Sequence, residues 1–210
     1  MFKIVILLSG RHGRGSNMAA LALGCASGLI PGATITHVIG THSGSPALAR
    51  AESMGLATAV VDPKNAEFDE ALLEILLQAE PDLICLAGFM RKAPDAVLSH
   101  YPQRIVNVHP ALLPSFGGKG MYGIHVHEAV LEAGCKISGC TVHFVDEEFD
   151  TGPIIAQQCV PVLDGDTAHT LAARVLTAEH SLYPEAVRWI AEGRVRVEGR
   201  RVLVTPVISI

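Results

Sequence analysis

The sequence predicts an α/β protein: one domain over residues 1–210, with an open, mostly parallel, twisted sheet, helices on both faces and antiparallel additions at the C-terminal end. Three observations carry this. Short Val/Ile/Leu runs are continuously apolar, as strands covered on both faces are. They alternate with stretches of helical periodicity, which implies βαβ units. Near the C-terminus two strands flank Glu198-Gly199, the signature of a hairpin.

Each element has its own signal. Phe2–Leu8 is a β-branched and leucine run ended by Ser9-Gly10, hence a strand. Ser16-Asn17 offers a cap for a helix from Met18 to about Leu29. Thr34–Ile39 reads as the second strand, Pro46–Met54 as a helix closed by Gly55, and Leu56–Val61 as a third strand. Phe68–Ala79 is a helix whose Leu72, Leu73, Leu76 and Leu77 keep helical spacing. Leu83–Leu86 is a fully apolar strand, Pro94–His100 a short helix and Arg104–Val108 a strand. The texture changes after His109. Ser115–Gly123 holds four glycines in nine residues and reads as a loop. His127–Glu132 is helical, and Ile137–Val145 and Ile154–Val162 are strands joined by the acidic turn Asp146–Pro153. Thr167–Glu192 is the longest helical stretch, with Pro184 as a break or kink. Arg194–Val197 and Val202–Val204 form the terminal hairpin.

Composition narrows the function. With 49% apolar and 18% charged residues, the chain is too hydrophobic to be disordered. A net charge of −5 argues against wholesale nucleic-acid binding. The charge is uneven: no Asp or Glu precedes Glu52, while Lys3, Arg11, Arg14 and Arg50 give the first 51 residues +4. A locally positive start on an acidic protein suits a small anionic ligand. Phe2–Leu8 is too short for a signal-peptide core, and Pro31, Gly32 and polar residues interrupt the uncharged stretch that follows Arg14, so a cytoplasmic protein without membrane spans is expected. Cys25, Cys85, Cys135, Cys140 and Cys159 are odd in number, scattered and free of CxxC, which predicts reduced, buried thiols.

Four places carry chemistry. Ser9–Asn17 (SGRHGRGSN) follows the first strand and opens the first helix, where glycines admit a phosphate and the helix N-terminus supplies free N–H groups. Its order is not the dinucleotide fingerprint, and no acid follows at the spacing a ribose needs. Asn107-Val108-His109-Pro110 ends an apolar strand. Two residues apart in extended chain, Asn107 and His109 face one side, and an amide donor beside an imidazole suits polarisation of a carbonyl oxygen. Asp146, Glu147, Glu148 and Asp150 form the acidic turn, and a carboxylate on His109 would raise its pKa and favour imidazolium. His125-x-His127-Glu128 raises a metal reading, but lacks the three or four ligands of a zinc site, and no metal is expected.

Together these stretches resemble the glycinamide ribonucleotide formyltransferase family. The resemblance runs through ILLSG with GSN at 15–17, CLAGFMR at 85–91, NVHPALLPSF at 107–116, GCTVHFVDEEFDTGPII at 139–155 and AEHSLYP at 178–184. It implies a Rossmann-like formyltransferase fold. It also implies transfer of the formyl group of 10-formyltetrahydrofolate, a co-substrate, to the amine of glycinamide ribonucleotide in purine synthesis. By similarity Asn107, His109 and Asp150 are catalytic and His143 supports them. Gly15, Ser16 and Asn17 hold the ribonucleotide phosphate, and Glu179 its ribose. Met90, Arg91, Lys92, Ala93, Asn107, Val145 and Asp146 line the folate side. The partners implied are two small molecules, with no nucleic acid or membrane; a homodimer is compatible with the resemblance. The chain departs from the family in a phosphate loop lengthened by Arg11–Arg14, and in Asn65 and Ala66 where a basic residue often precedes the Phe68-Asp69 pair.

Two relatives of that family are competing expectations. Formyltetrahydrofolate deformylase carries an extra N-terminal domain, whereas this sequence opens on its first strand. Methionyl-tRNA formyltransferase adds a C-terminal domain, for which 210 residues leave no room. A non-catalytic phosphometabolite-binding regulator is the alternative from another class, opposed by the joint presence of Asn107, His109 and Asp150.

Overall fold

The computed structural model describes residues 1–9 and 13–206, and its chain falls into two units, residues 1–107 and 108–210. The first unit alternates β1 (Phe2–Leu8), α1 (Ser16–Ala26), β2 (Ala33–Gly40), α2 (Pro46–Ser53), β3 (Thr58–Val60), α3 (Phe68–Ala79), β4 (Leu83–Leu86), α4 (Asp95–His100) and β5 (Ile105–His109), whose last two residues already belong to the second unit. Its strands are all parallel, in the order β3-β2-β1-β4-β5. β1 and β4 lie inside this order and every residue of Ile4–Leu8 and Leu83–Leu86 is buried, which is why both runs are continuously apolar. α3 buries Phe68, Leu72, Leu76 and Ala79, one stripe of its surface.

The second unit contains α5 (Ile124–Glu132), β6 (Ile137–Phe144), β7 (Ile154–Pro161), α6 (Ala168–Ala191), β8 (Val195–Glu198) and β9 (Arg201–Val204). β6 pairs antiparallel with β7, β7 parallel with β9, and β8 antiparallel with β9. The α/β class, the parallel strands and the antiparallel C-terminal additions are as the sequence predicts.

Several boundaries differ, each for a local reason. α1 starts at Ser16 rather than Met18, because its N-cap is Gly15 in the left-handed region (φ 63°) and no side chain caps it. It stops at Ala26, where the Ser27 N–H bonds to the Leu23 carbonyl and that of Ile30 to the Gly24 carbonyl. β3 keeps only Thr58–Val60, the residues that pair with Val38–Gly40 of β2. α5 starts at Ile124, three residues earlier than expected, behind Gly123. α6 runs through Pro184 without ending; Leu182, Tyr183, Pro184, Ala186 and Val187 are all buried, and packing holds the turn that the missing N–H weakens. A capping box starts α6: Thr167 Oγ1 accepts from the Thr170 N–H, and Thr170 Oγ1 from the Thr167 N–H. None of the five cysteines forms a disulfide, but only Cys85 and Cys140 are buried; Cys159 is exposed on β7. Among the described residues no helix is long and apolar enough to cross a membrane.

Candidate active site

In the second unit three predicted residues meet. His109 ends β5 and is 3% exposed. Its Nε2 lies 2.8 Å from the carbonyl oxygen of Phe116, so Nε2 carries the proton and donates it. Its Nδ1 lies 3.5 Å from Asp150 Oδ2. Asp150 follows β6 with φ 60°, a left-handed conformation that aspartate tolerates better than most side chains. Its Oδ1 lies 3.6 Å from His143 Nε2, and Oδ2 accepts the Gly118 N–H at 2.9 Å. His143, in β6, is 2% exposed and donates Nδ1–H to the Phe144 carbonyl at 2.8 Å. The backbone of 116–118 is thus a strap fastened to His109 at one end and to Asp150 at the other. Gly117 sits between the fastenings because a Cβ there would come within 2.5 Å of Leu113 Cδ2 and 3.2 Å of Asp150 Cβ.

The electrostatics correct one expectation. Burial pushes the His109 imidazolium down; Asp150 and the Phe116 carbonyl push it up, and His143 pushes it down again. The balance lies below an ordinary imidazole, a downward shift where the carboxylate neighbour alone would give an upward one. Desolvation, which a sequence does not display, decides the sign. Asp150 goes the other way: burial pushes its carboxyl up, but the His143 hydrogen bond, the His109 charge and the Gly118 N–H outweigh it and hold it below the usual carboxylate range.

The HxHE motif divides. His125 is exposed and pairs with Glu128 at 3.0 Å, whereas His127 is buried and burial pushes it down, with His109 adding to the effect. Two positions apart on a helix, the histidines point to different sides. No three His, Cys, Asp or Glu among the described residues are arranged to hold a metal ion. Asp146 Oδ1 accepts from Thr151 Oγ1 at 2.6 Å and from the Glu148 N–H at 3.3 Å, so it shapes the acidic turn. Val145 beside it is half-buried, and Glu147 and Glu148 are exposed. Glu179, on α6, is buried at 6% exposure, and its charge adds to the burial that pushes the Cys140 thiol up to about 12.

The first unit holds the other predicted residues. Asn107 is half-buried in β5, two positions before His109, so strand alternation puts both on one side of the strand. Ser16 and Asn17 open α1, whose first turn has no acidic residue and whose Ser16, Asn17 and Met18 N–H groups have no intrahelical acceptor. Gly10, Arg11 and His12 lie outside the described residues. Ser9 Oγ accepts the Met90 N–H at 2.5 Å and donates to the Gly88 carbonyl at 3.2 Å, tying the Met90–Ala93 stretch to the end of β1. Met90 is exposed and Ala93 buried. The Arg91 guanidinium stacks 4.6 Å over the Phe68 ring, and Lys92 pairs with Asp95 at 3.8 Å.

Sequence reasoning missed the strap and the buried His127. The strap's signal was the glycine cluster just after the NVHP motif, read only as a loop. For His127 it was the apolar flank of Val126 and Val130 on the same helix.

Residues 2–187 match the formyl transferase family. The chain is 40% identical over 199 residues to the phosphoribosylglycinamide formyltransferase of Escherichia coli strain K12, covering 92% of this chain and 89% of that one. It is 42% identical over 199 residues to the trifunctional purine biosynthetic protein adenosine-3 of Gallus gallus, covering 93% of this chain and 19% of that protein, so it spans about a fifth of that longer relative. The crystal structure of glycinamide ribonucleotide transformylase 1 from Symbiobacterium toebii matches with a TM-score of 0.90 and 43% identity, over 98% of this chain and 95% of that one.

Proposed function

The chain belongs to the formyl transferase family, and from that premise we infer that its acceptor is the amine of glycinamide ribonucleotide. It is a formyl-transferring enzyme of de novo purine biosynthesis. The observation that carries the site assignment is the buried set of His109, Asp150 and His143. The formyl donor is 10-formyltetrahydrofolate. Both partners are small molecules, and on this reading the protein acts in the cytoplasm. One family match running through both units supports treating residues 1–210 as one formyltransferase domain.

The amine lone pair attacks the formyl carbon, and the C=O π pair moves onto oxygen. Asn107 and the Nε2–H of His109 stabilise that oxyanion, which takes the place of the Phe116 carbonyl on Nε2. The proton leaving the amine reaches N10 of the folate through water or His109. The oxyanion then re-forms the C=O, the C–N10 bond breaks with its electron pair going to N10, and tetrahydrofolate, carrying that proton on N10, leaves as the formylated amine is released. Asp150, ionised and beside Nδ1, stabilises any imidazolium formed on the way. His143 holds Asp150 from its other oxygen. The ribonucleotide phosphate sits on the N–H groups of Gly15, Ser16 and Asn17, favoured by an acid-free helix start. Glu179 takes the ribose hydroxyls. Met90, Arg91, Lys92, Ala93, Asn107, Val145 and Asp146 receive the folate.

The test is turnover with purified glycinamide ribonucleotide and 10-formyltetrahydrofolate. Formation of formylglycinamide ribonucleotide supports the reading. Release of formate whether or not the amine is present indicates a hydrolase, and tight ribonucleotide binding without turnover indicates a regulator.

A further inference from the structure

Arg50 stands in the last turn of α2, where it has no part in the reaction described above. Its NH1 group donates to the main-chain carbonyl of Arg14 at 3.3 Å. That carbonyl belongs to the peptide unit that enters Gly15. The unit is trans and planar, so its C=O and N–H point in opposite directions. With the carbonyl held toward Arg50, the Gly15 N–H is turned the other way. A flip of this peptide changes ψ of Arg14 and φ of Gly15 together, and glycine, at φ 63° here, accepts either sign. Nothing in the steric preferences of Gly15 therefore prevents a flip that would present a carbonyl oxygen, a partial negative charge, to an incoming anion. α2 also touches the same residue at its other end: a Cβ on Gly15 would lie 2.9 Å from Ala47 Cβ.

We propose that Arg50 is a positioning residue for the substrate phosphate: it locks the Arg14–Gly15 peptide in the orientation that offers N–H rather than C=O, acting through the loop without touching the ligand. This rests on the reading that Gly15–Asn17 hold the phosphate. The consequence is selective. Loss of the Arg50 hydrogen bond weakens the ribonucleotide end of the site and leaves the folate end and the chemical step alone.

The experiment compares wild type with Arg50→Met and Gly15→Val, by steady-state kinetics and by calorimetric titration of glycinamide ribonucleotide and of 10-formyltetrahydrofolate, with thermal melts to confirm folding. Arg50→Met is expected to raise KM and Kd for the ribonucleotide about tenfold, the scale of one hydrogen bond to a charged group. Its kcat and folate Kd stay within about twofold by the same reasoning, since neither depends on that bond. The loss persists in about 0.5 M salt, where a distant charge is screened over a few ångströms. A loss that disappears in salt would mean attraction at a distance and overturn the positioning role, as would no loss or an equal loss for both ligands. Gly15→Val separates the two levels. If it leaves ribonucleotide binding intact, the phosphate lies elsewhere and both readings fall. If it abolishes binding while Arg50→Met does nothing, only the role of Arg50 falls.

Discussion

The Nε2–H of His109 is donated to the main-chain carbonyl of Phe116 at 2.8 Å, so the imidazole proton is already aimed and occupied before any ligand arrives. The contact fixes the tautomer and leaves Nδ1 to Asp150, 3.5 Å away. An oxygen that displaces the carbonyl inherits a donor needing no reorientation.

Asn107→Ala and His109→Ala are each expected to lower turnover about 100-fold or more, the scale for one lost oxyanion donor. Both should fold. Turnover near the wild-type value in a variant with native circular dichroism would remove that residue from the chemistry.

Asp150→Asn retains shape, and asparagine tolerates φ 60°, but the carboxylate that pushes His109 up is gone. The His109 pKa should fall further, and turnover with it. Titration of the imidazole by NMR checks the first, and an unchanged value would show that the two groups are not electrically coupled.

Stability should depend on pH in two stages. The folded His109 titrates below the ordinary imidazole value, so above about 6.5 it has no effect and below that value acid favours the unfolded chain. The folded Asp150 titrates below the ordinary carboxylate value, so its contribution is complete above about 4 and is lost as pH falls through the folded value. Thermal melts between pH 7.5 and 5 should therefore show wild type losing more than His109→Asn, a window set by the ordinary imidazole pKa of about 6.5. Parallel curves would assign the loss to other groups.

Gly117→Ala puts a methyl 2.5 Å from Leu113 Cδ2 and 3.2 Å from Asp150 Cβ. The leucine tip can swing away, whereas the Asp150 Cβ is held by a turn. The expected result is a stability loss of about 1–3 kcal/mol, as for other overpacked sites, with a fall in kcat larger than that loss alone explains. Unfolding in denaturant and kinetics on the same preparation separate the two, and wild-type kcat would show that the strap has no bearing on Asp150.

Much of the fold was legible because buried strands and one-sided helices announce themselves: the strands Phe2–Leu8 and Leu83–Leu86 and the helix Phe68–Ala79 have the bounds their apolar patterns give. The misplaced starts of α1 and α5 share one cause: both helices are capped by a glycine, Gly15 and Gly123, rather than by a polar side chain. In the site, Asn107 and His109 could be argued from strand alternation, but Asp150 and His143 followed from resemblance alone, since no local rule says which carboxylate of an acidic turn faces inward. Asp150 pushes His109 up as a carboxylate neighbour should, but the net shift is downward, because a neighbouring carboxylate can be guessed from sequence and the loss of water cannot.

The fastening of His109 to Phe116 is made by a carbonyl, and every amino acid carries the same carbonyl. Genetic variation therefore has no direct handle on it: exchanging the phenylalanine changes the ring and leaves the acceptor in place. An alanine scan would pass over position 116 as unremarkable while the contact went on orienting the imidazole. To delete the acceptor itself the chain has to be altered chemically, by a backbone thioamide at that residue, which weakens the acceptor without touching any side chain. What holds the His109 proton in this protein is thus inherited through the path of the main chain rather than through the identity of the residue that supplies the acceptor.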